Sequence, residues 1–539
     1  MKRPLGRLDP VRLEVFRHLF TALAEEMGAA LRGAAYSPNI KERRDYSCAL
    51  FDGAGRVVAM GDHMPVHLGA MPMSVRAAID AYPSLGTGDI VVLNDPFCGG
   101  THLPDITLVA PVRARRMQKR GQTGPVLAYL AVRAHHADVG GIAAGSMPLA
   151  REIYQEGLRL PPVLLLRAGQ RNPDVWRLIT ANVRTPIERE GDLGAQVGAI
   201  ARGRERLLEL TRTRGDAQVR AAMNELIEYA DRLVRAGIKR LPNGEYHAED
   251  ALEDDGFGNG PLPIRVTVRV EHEQLIIDFS GSAPQTTGGI NAVAAITRSA
   301  VHYVVRCVVE TILAQTLPAG GGEMKSVQLI LPNRSIVNAQ PPASVAAGNV
   351  ETSQRITDAL LLAMSRALPD LIPAQSQGTM NNLTIGGIDP RTGELFAYYE
   401  TMGGGMGASA QRPGLTGVHV HMSNSLNTPI EALEHAYPLR VLRYQIRRGT
   451  GGRGHHDGGD GLRRDVQILT DADVSLLSER RRRAPAGSQG GQSGQPGQNR
   501  LLRNNQEQEL PSKTTFRASA GDVLSIRSPG GGGWGEPAD

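Results

Sequence analysis

The chain has 539 residues, 60 basic against 55 acidic, a net charge of +5, and a composition 41% hydrophobic and 21% charged. That is material for roughly three to four soluble domains, with no run near the ~18 apolar residues of a membrane span and too little charge to imply nucleic acid. Only Cys48, Cys98 and Cys307 are cysteines; none forms a CxxC pair, which argues against a disulfide framework and fits a reducing, cytoplasmic setting.

The opening residues lack an uninterrupted apolar stretch, so no signal peptide is expected. Asp9 and Pro10 predict an N-cap and first helical position. Leu13, Phe16, Leu19, Leu23, Met27 and Leu31 then recur at three- and four-residue steps, the stripe of a packing helix. From Asp45 the period changes. DYSCALFDGAGRVVAMGDH predicts a β-hairpin around residues 52–55, and residues 89–96, 105–112 and 126–136 predict further strands. The basic stretch between the last two, which includes Arg113, Arg115, Arg116, Lys119 and Arg120, predicts a solvated loop, as do the arginines at 480–483.

Residues 187–240 predict helices, and a second β-rich section is expected from Gly256 with a hairpin in IRVTVRVEHEQLIIDFSG. Helices are expected at 291–315 and at 350–368, the latter capped by Asn349. Residues 485–509, rich in Gly, Gln, Asn, Ser and Pro, predict a loop or partly disordered excursion. Without regular βαβ alternation, the fold class expected is α+β / mixed α/β in several layers. The boundaries expected are an N-terminal helix plus a β-rich section at 1–186, a helical section at 187–255, a second mixed α/β section at 256–484, and a Gly/Gln-rich loop with a Gly-rich end at 485–539.

The densest chemistry lies in NDPFCGGTHLPD and RAHHADVGG. His102 and Asp105 flank Pro104, which predicts a sharply shaped turn. His135 and His136 end a separate strand, just before Asp138 and a Gly-Gly turn. Two such turns could place imidazole and carboxylate on one divalent ion, and that donor mix suits Zn²⁺ or Mn²⁺ better than Ca²⁺ or Mg²⁺. Structural hydrogen bonding of the same groups is the alternative. His63 and His67 form a second pair, expected at the substrate pocket or behind the ligands, or purely structural. Pro65 between them argues against a helix. Cys98 near His102 could make a nucleophile, though a lone buried Cys is the commoner case. The glycine runs at 403–408 and 530–533 are not followed by Lys-Ser/Thr, so no Walker A loop exists. Glu351 and Arg355 could hold an anion at a helix start or lie at the surface. His455, His456, Asp457 and Asp460 could form a surface metal site or simply a polar loop.

SPNIKERRDYSCALFD, HMPVHLGAM, NDPFCGGTHLPDITLVAPV, RAHHADVGG, EIYQEGLRLPP, GNVETSQR and PGGGGWGEP, in that order, resemble the hydantoinase B/oxoprolinase family. The likeness runs from about residue 10 to the C-terminus. It implies a divalent metal, Mn or Zn, held by His102, Asp105 and His135, joined by Asp45 in lactamase-type members. It also implies a hydantoinase A-type partner subunit that binds ATP, which this chain does not, and a small cyclic amide, such as a hydantoin, 5-oxoproline or a lactam, as substrate. Phosphorylation of the ring oxygen by the partner would make the carbonyl carbon electrophilic. Metal-activated water, its pKa lowered toward ~7, would then open the ring, with His136 or Asp138 shuttling the proton. A subunit of an ATP-dependent ketone carboxylase and a non-catalytic scaffold for the ATP-binding subunit are the alternatives.

Overall fold

Helix α1 (Pro10–Ala34) starts where the sequence puts it, with the Asp9 carboxylate accepting from the Val11 N–H and Phe16, Phe20, Leu23, Met27 and Leu31 on its buried side. The computed structural model describes residues 9–61, 63–114, 124–318 and 324–537. The short helix α2 (Pro38–Lys41) leads into β1 (Tyr46–Asp52) and β2 (Val57–Met60). Helices α3 (Pro65–Leu68) and α4 (Met71–Ala81) follow, then β3 (Ile90–Leu93), β4 (Asp105–Arg113), β5 (Val126–His135), β6 (Val163–Arg167) and β7 (Gln170–Arg171). These strands make one sheet in the order β2-β1-β5-β4-β3-β6-β7, antiparallel throughout.

Alternate residues of that sheet enter two different cores. Cys48, Leu50, Leu108, Leu130 and Val132 pack with Phe20 and Met27 of α1. Ala49, Phe51, Val109, Tyr129 and Ala131 pack with Met71, Val75 and Ala78 of α4. Because successive side chains leave a strand on opposite faces and both faces are covered, these strands read as continuous apolar strings. Much of the loop expected between β4 and β5, residues 115–123, lies outside the described residues.

Helices α5 (Pro173–Ala181), α6 (Pro186–Arg214) and α7 (Asp216–Ile238) come next. The long helical stretch is divided at Gly215, which adopts φ +82°, a conformation glycine reaches without strain. Strands β8 (Gly244–Leu252), β9 (Leu262–Glu271) and β10 (Gln274–Asp278), helix α8 (Ala294–Leu313), strand β11 (Val327–Ile330) and helix α9 (Thr352–Ala367) follow. The sheet order is β11-β10-β9-β8. The second β section therefore begins at Gly244, ahead of the expected Gly256.

The chain ends in β12 (Asn382–Ile388), β13 (Leu395–Glu400), α10 (Ile430–Ala436), β14 (Leu439–Arg447), β15 (Gly461–Ile468), β16 (Ala472–Leu477), β17 (Gln498–Arg503), β18 (Gln506–Leu510), β19 (Lys513–Ala518) and β20 (Val523–Arg527). They form sheets β13-β12-β16-β19 and β14-β15-β20-β17-β18, whose inner residues, among them Ile385, Tyr398, Val474, Val466 and Leu524, share one core. The architecture is the expected mixed α+β. The expected loop at 485–509 is corrected: part of it is the β17–β18 hairpin, closed with Arg503 opposite Gln506. Asn504 and Asn505 both take left-handed φ, +51° and +61°, the requirement of a two-residue primed turn that Asn meets at low cost. The glycine runs serve close backbone approach. A Cβ on Gly405 would lie 2.0 Å from the Gly459 carbonyl, and one on Gly531 would lie 2.1 Å from that of Met406. Among the described residues no helix is long and apolar enough to cross a membrane.

Candidate metal centre

Antiparallel pairing of β4 with β5 sets Asp105 directly opposite His135, and directly paired residues lie within side-chain reach of each other. His102 is brought in by the turn before β4. Asp105 N–H donates to the His102 carbonyl at 3.1 Å, and the Pro104 carbonyl accepts from both Ile106 and His136. Gly99 permits this path by taking φ +90°, where a Cβ would sit 2.6 Å from the Met73 carbonyl.

The result is a tight triangle. His102 Nε2 lies 3.2 Å from His135 Nδ1 and 3.2 Å from Asp105 Oδ1, and His135 Nδ1 lies 3.3 Å from Asp105 Oδ1. All three side chains are buried, and among the described residues this is the group whose donor atoms converge as metal ligands would. Ligand atoms set tetrahedrally about 2.0–2.1 Å from one ion stand roughly 3.3 Å apart, so the spacing fits. Asp105 Oδ1 has no hydrogen-bond partner despite its burial, an arrangement that a cation would compensate.

Neighbouring groups orient the three. The Ala346 carbonyl lies 3.2 Å from His102 Nδ1. Thr101 Oγ1 donates to Asp105 Oδ2, and His67 Nε2 approaches the same oxygen at 3.3 Å. The His135 ring stacks on Tyr399 of β13, centroids 4.3 Å apart, while its carbonyl accepts from Asn39 of α2. Burial opposes protonation of His102, yet Asp105 beside it outweighs that and raises its pKa. Burial likewise opposes ionisation of Asp105, and the two imidazoles His102 and His67 overcome it, holding the carboxyl well below its usual range. His135 is lowered, chiefly by burial.

The other expected site residues distribute differently. Asp45 lies beside His135, whose N–H donates to the Asp45 carbonyl at 3.0 Å. Its carboxylate is 4.0 Å from the Arg43 guanidinium and outside the convergent group of three. His67 spends both ring nitrogens on protein, Nδ1 on Ser47 Oγ at 2.8 Å and Nε2 on Asp105. Of the roles expected for His67, these contacts suit the one behind the ligands. Pro65 starts the α3 turn rather than preventing it, because its missing N–H is not needed at that position. His63 lies against the Tyr46 ring, centroids 4.9 Å apart, and 3.7 Å from Glu25 of α1.

The expected proton shuttles are also turned elsewhere. Next to His135 at the strand end, His136 points to α6, with Nε2 2.9 Å from Gln196 Oε1, and burial pushes its pKa down to about 4. Asp138 pairs with Arg184 at 2.8 Å and accepts the Arg184 N–H. Cys98 is a thiol raised in pKa by burial and by Asp95, which disfavours a nucleophilic role. Glu351 and Arg355 are buried, not superficial. Glu351 accepts from Met380 N–H and Asn382, and Arg355 binds Asp250 and Asp358. Arg480, expected in a solvated loop, joins the same pair of carboxylates. Asp457 and Asp460 accept backbone N–H groups, and His456 bridges to Trp534.

Sequence reasoning missed Asn39, Arg43, Tyr399 and the 346–349 turn. GNVETSQR carries the only signal for the last of these, and in the sequence alone it reads as a helix cap. Helix α9 in fact begins at Thr352, preceded by a 3-10 turn at Ala346–Gly348, which frees Asn349 to place Nδ2 3.0 Å from His102 Nε2.

Comparison with known proteins gives this site a context. The sequence profile described as hydantoinase B/oxoprolinase matches residues 9–537. The chain belongs to that family. It is 36% identical to 5-oxoprolinase 1 of Arabidopsis thaliana over 98% of its own length but only 42% of that protein's. The chain thus spans about two-fifths of that longer relative. It is 30% identical to the putative B-type component of a D-/L-hydantoinase from a Pseudomonas strain, over 99% of this chain and 91% of that one. The crystal structure of an ATP-dependent caprolactamase from Pseudomonas jessenii superposes with a TM-score of 0.89 at 29% identity, covering 98% and 91% of the two chains. An acetone carboxylase structure, at TM-score 0.86 and 18% identity over 98% of this chain and 76% of that one, shares the fold.

Proposed function

We propose that this chain is the metal-dependent hydrolytic part of an ATP-dependent cyclic-amide hydrolase, opening a hydantoin, 5-oxoproline or lactam ring together with an ATP-binding partner subunit of hydantoinase A type. The observation that carries the reading is the buried convergence of His102 Nε2, Asp105 Oδ1 and His135 Nδ1 at 3.2–3.3 Å. Relatives named for hydantoinase, 5-oxoprolinase and caprolactamase activity support the substrate class. The hydantoinase relative is named as one component of its enzyme, which supports the partner.

His102, Asp105 and His135 would hold a Mn²⁺ or Zn²⁺ ion, and Asp45, whose carbonyl accepts from the His135 N–H, would join them as a further ligand. A divalent ion there supplies Lewis acidity, lowering the pKa of water toward neutrality. The protein's own part is positional. The Ala346 carbonyl fixes the His102 tautomer, His67 and Thr101 hold Asp105, and Tyr399 fixes the plane of the His135 ring. Such partners raise ligand basicity and keep the donors aimed before the ion arrives. Burial excludes bulk water, so an activated ring carbonyl would meet only water delivered at the centre. His136, bonded to Gln196, and Asp138, paired with Arg184, would steady the turn that follows His135.

The test is ATP-dependent ring opening of a panel of cyclic amides by the chain with its partner subunit, before and after removal of metal. Ring opening that disappears with the metal and returns with Mn²⁺ or Zn²⁺ is the expected result. Full activity without metal would overturn the hydrolytic role in favour of a scaffold. Product that forms only with bicarbonate and a ketone would move the chain to carboxylation.

A further inference from the structure

We infer that the side-chain amide of Asn349 is a further protein group of this centre, turning its Oδ1 onto a bound divalent cation. The inference rests on the metal reading proposed above. His102 Nδ1 lies 3.2 Å from the Ala346 carbonyl, and a carbonyl only accepts. The neutral ring, the form that can bind a cation, therefore keeps its proton on Nδ1 and carries its lone pair on Nε2. Asn349 Nδ2 stands 3.0 Å from that lone pair and donates into it.

A cation at the point where His102 Nε2, Asp105 Oδ1 and His135 Nδ1 converge takes the same lone pair. The Asn349 N–H is then left facing positive charge, a repulsive contact. At the other end of the same amide, Oδ1 is buried and has no hydrogen-bond partner. The torsion that carries an amide is broad and roughly two-fold, so one rotation exchanges the two ends. The oxygen then occupies the place of the nitrogen, about 3.0 Å from Nε2, close to the spacing of neighbouring ligand atoms on one ion.

The exchange leaves the shape of the side chain unchanged. The Asn349 carbonyl already accepts from Ser353 Oγ at 2.7 Å, and the residue is held between the 3-10 turn and α9. The added donor is neutral and hard. It brings no charge, and it favours Mn²⁺ over Zn²⁺, because carbonyl-type oxygen suits Mn²⁺ while imidazole suits Zn²⁺.

The experiment compares the chelator-stripped chain with its Asn349→Ala and Asn349→Asp variants, titrated with Mn²⁺ and with Zn²⁺ by calorimetry. Free Mn²⁺ is followed by electron paramagnetic resonance, and the absorption of the Co²⁺-loaded proteins reports the ligand set. Asn349→Ala is expected to weaken Mn²⁺ about 10- to 100-fold, Zn²⁺ less, and to change the Co²⁺ spectrum. Asn349→Asp, which keeps an oxygen there, should retain Mn²⁺. Wild-type affinity and an unchanged Co²⁺ spectrum in Asn349→Ala would overturn the inference. So would equal loss in both variants, since N–H donation rather than the oxygen would then be what matters. If Asn349→Ala does not fold, Asn349→Asp decides alone, retention supporting the inference and loss overturning it. A wild-type chain that binds neither ion defeats the metal reading as well, whereas tight wild-type binding with an indifferent Asn349 defeats only this step.

Discussion

Two buried polar regions of this chain differ in how their charges are arranged. At the candidate metal centre, His102, Asp105 and His135 turn donor atoms toward one point, and Asp105 Oδ1 has no hydrogen-bond partner. Around α9, opposite charges alternate instead. Arg355 and Arg480 each bind both Asp250 and Asp358, and Lys513 pairs with Glu479 at 2.5 Å. The second region sets each of these charges against an opposite one, although Asp358 Oδ1, Arg355 Nε and Arg480 Nε have no hydrogen-bond partner. In the first, three donor atoms share one point that no opposite charge among them fills. Burial alone therefore does not separate function from structure; the direction of the lone pairs does.

The largest expected effect breaks the first region. His102→Ala removes one of three convergent donors, so metal occupancy by elemental analysis should fall to background and turnover by at least about 100-fold. Denaturant unfolding of the metal-free protein should change far less, because the imidazole is not part of the alternating network. A fully active, metal-loaded variant would erase the difference between the two regions.

Breaking the second region should do the reverse. Asp250→Ala leaves Arg355 and Arg480 short of a shared carboxylate and should cost about 3–5 kcal/mol in denaturant unfolding. Those molecules that fold should still bind metal at one equivalent. Loss of metal at unchanged stability would mean that the network serves the centre rather than the fold.

Glu156 sharpens the comparison through pH. Its Oε1 accepts from Ser344, Val345 N–H and Ala346 N–H, yet burial raises its pKa from 4.5 to about 7. Between those values the folded chain holds a proton that the unfolded chain has released. Stability should therefore fall as pH rises from about 4.5 to about 7, by up to about 3 kcal/mol. Glu156→Gln should flatten that part of the profile, and a variant that keeps the full slope would assign it to other groups.

The two regions are unequally legible in the sequence. His102, Asp105 and His135 stand in Gly-rich turns with an unusual density of His and Asp, and strand pairing then does the rest by setting Asp105 opposite His135. The fold class is readable because the strand and helix periods change cleanly near Asp45 and residue 187. The 498–510 hairpin is not, since Leu501 and Leu502 are the only strong apolar signal in its first strand and the strand's polarity reads as loop. The α9 network is hidden for a related reason. Arg355 and Arg480 look like surface residues until Asp250 and Asp358, far away in sequence, meet them. Asn349 escapes because a helix-capping residue and a residue one turn before a helix look alike in a single sequence.

The smallest expected effect tests whether the pre-aimed lone pairs depend on groups that never touch the ion. His67 Nε2 lies 3.3 Å from Asp105 Oδ2, and its Nδ1 is held by Ser47 at 2.8 Å. Through that chain the carboxylate is kept with Oδ1 toward the centre. His67→Gln shortens the reach and removes the ring, so metal affinity should drop about 10- to 100-fold with stoichiometry still near one. Ser47→Ala, one bond further out, should weaken it less, with little change in unfolding. If both variants bind as tightly as the wild type, Asp105 is aimed by its strand and Thr101 alone. The convergence would then be a property of β4–β5 pairing rather than of the shell around it.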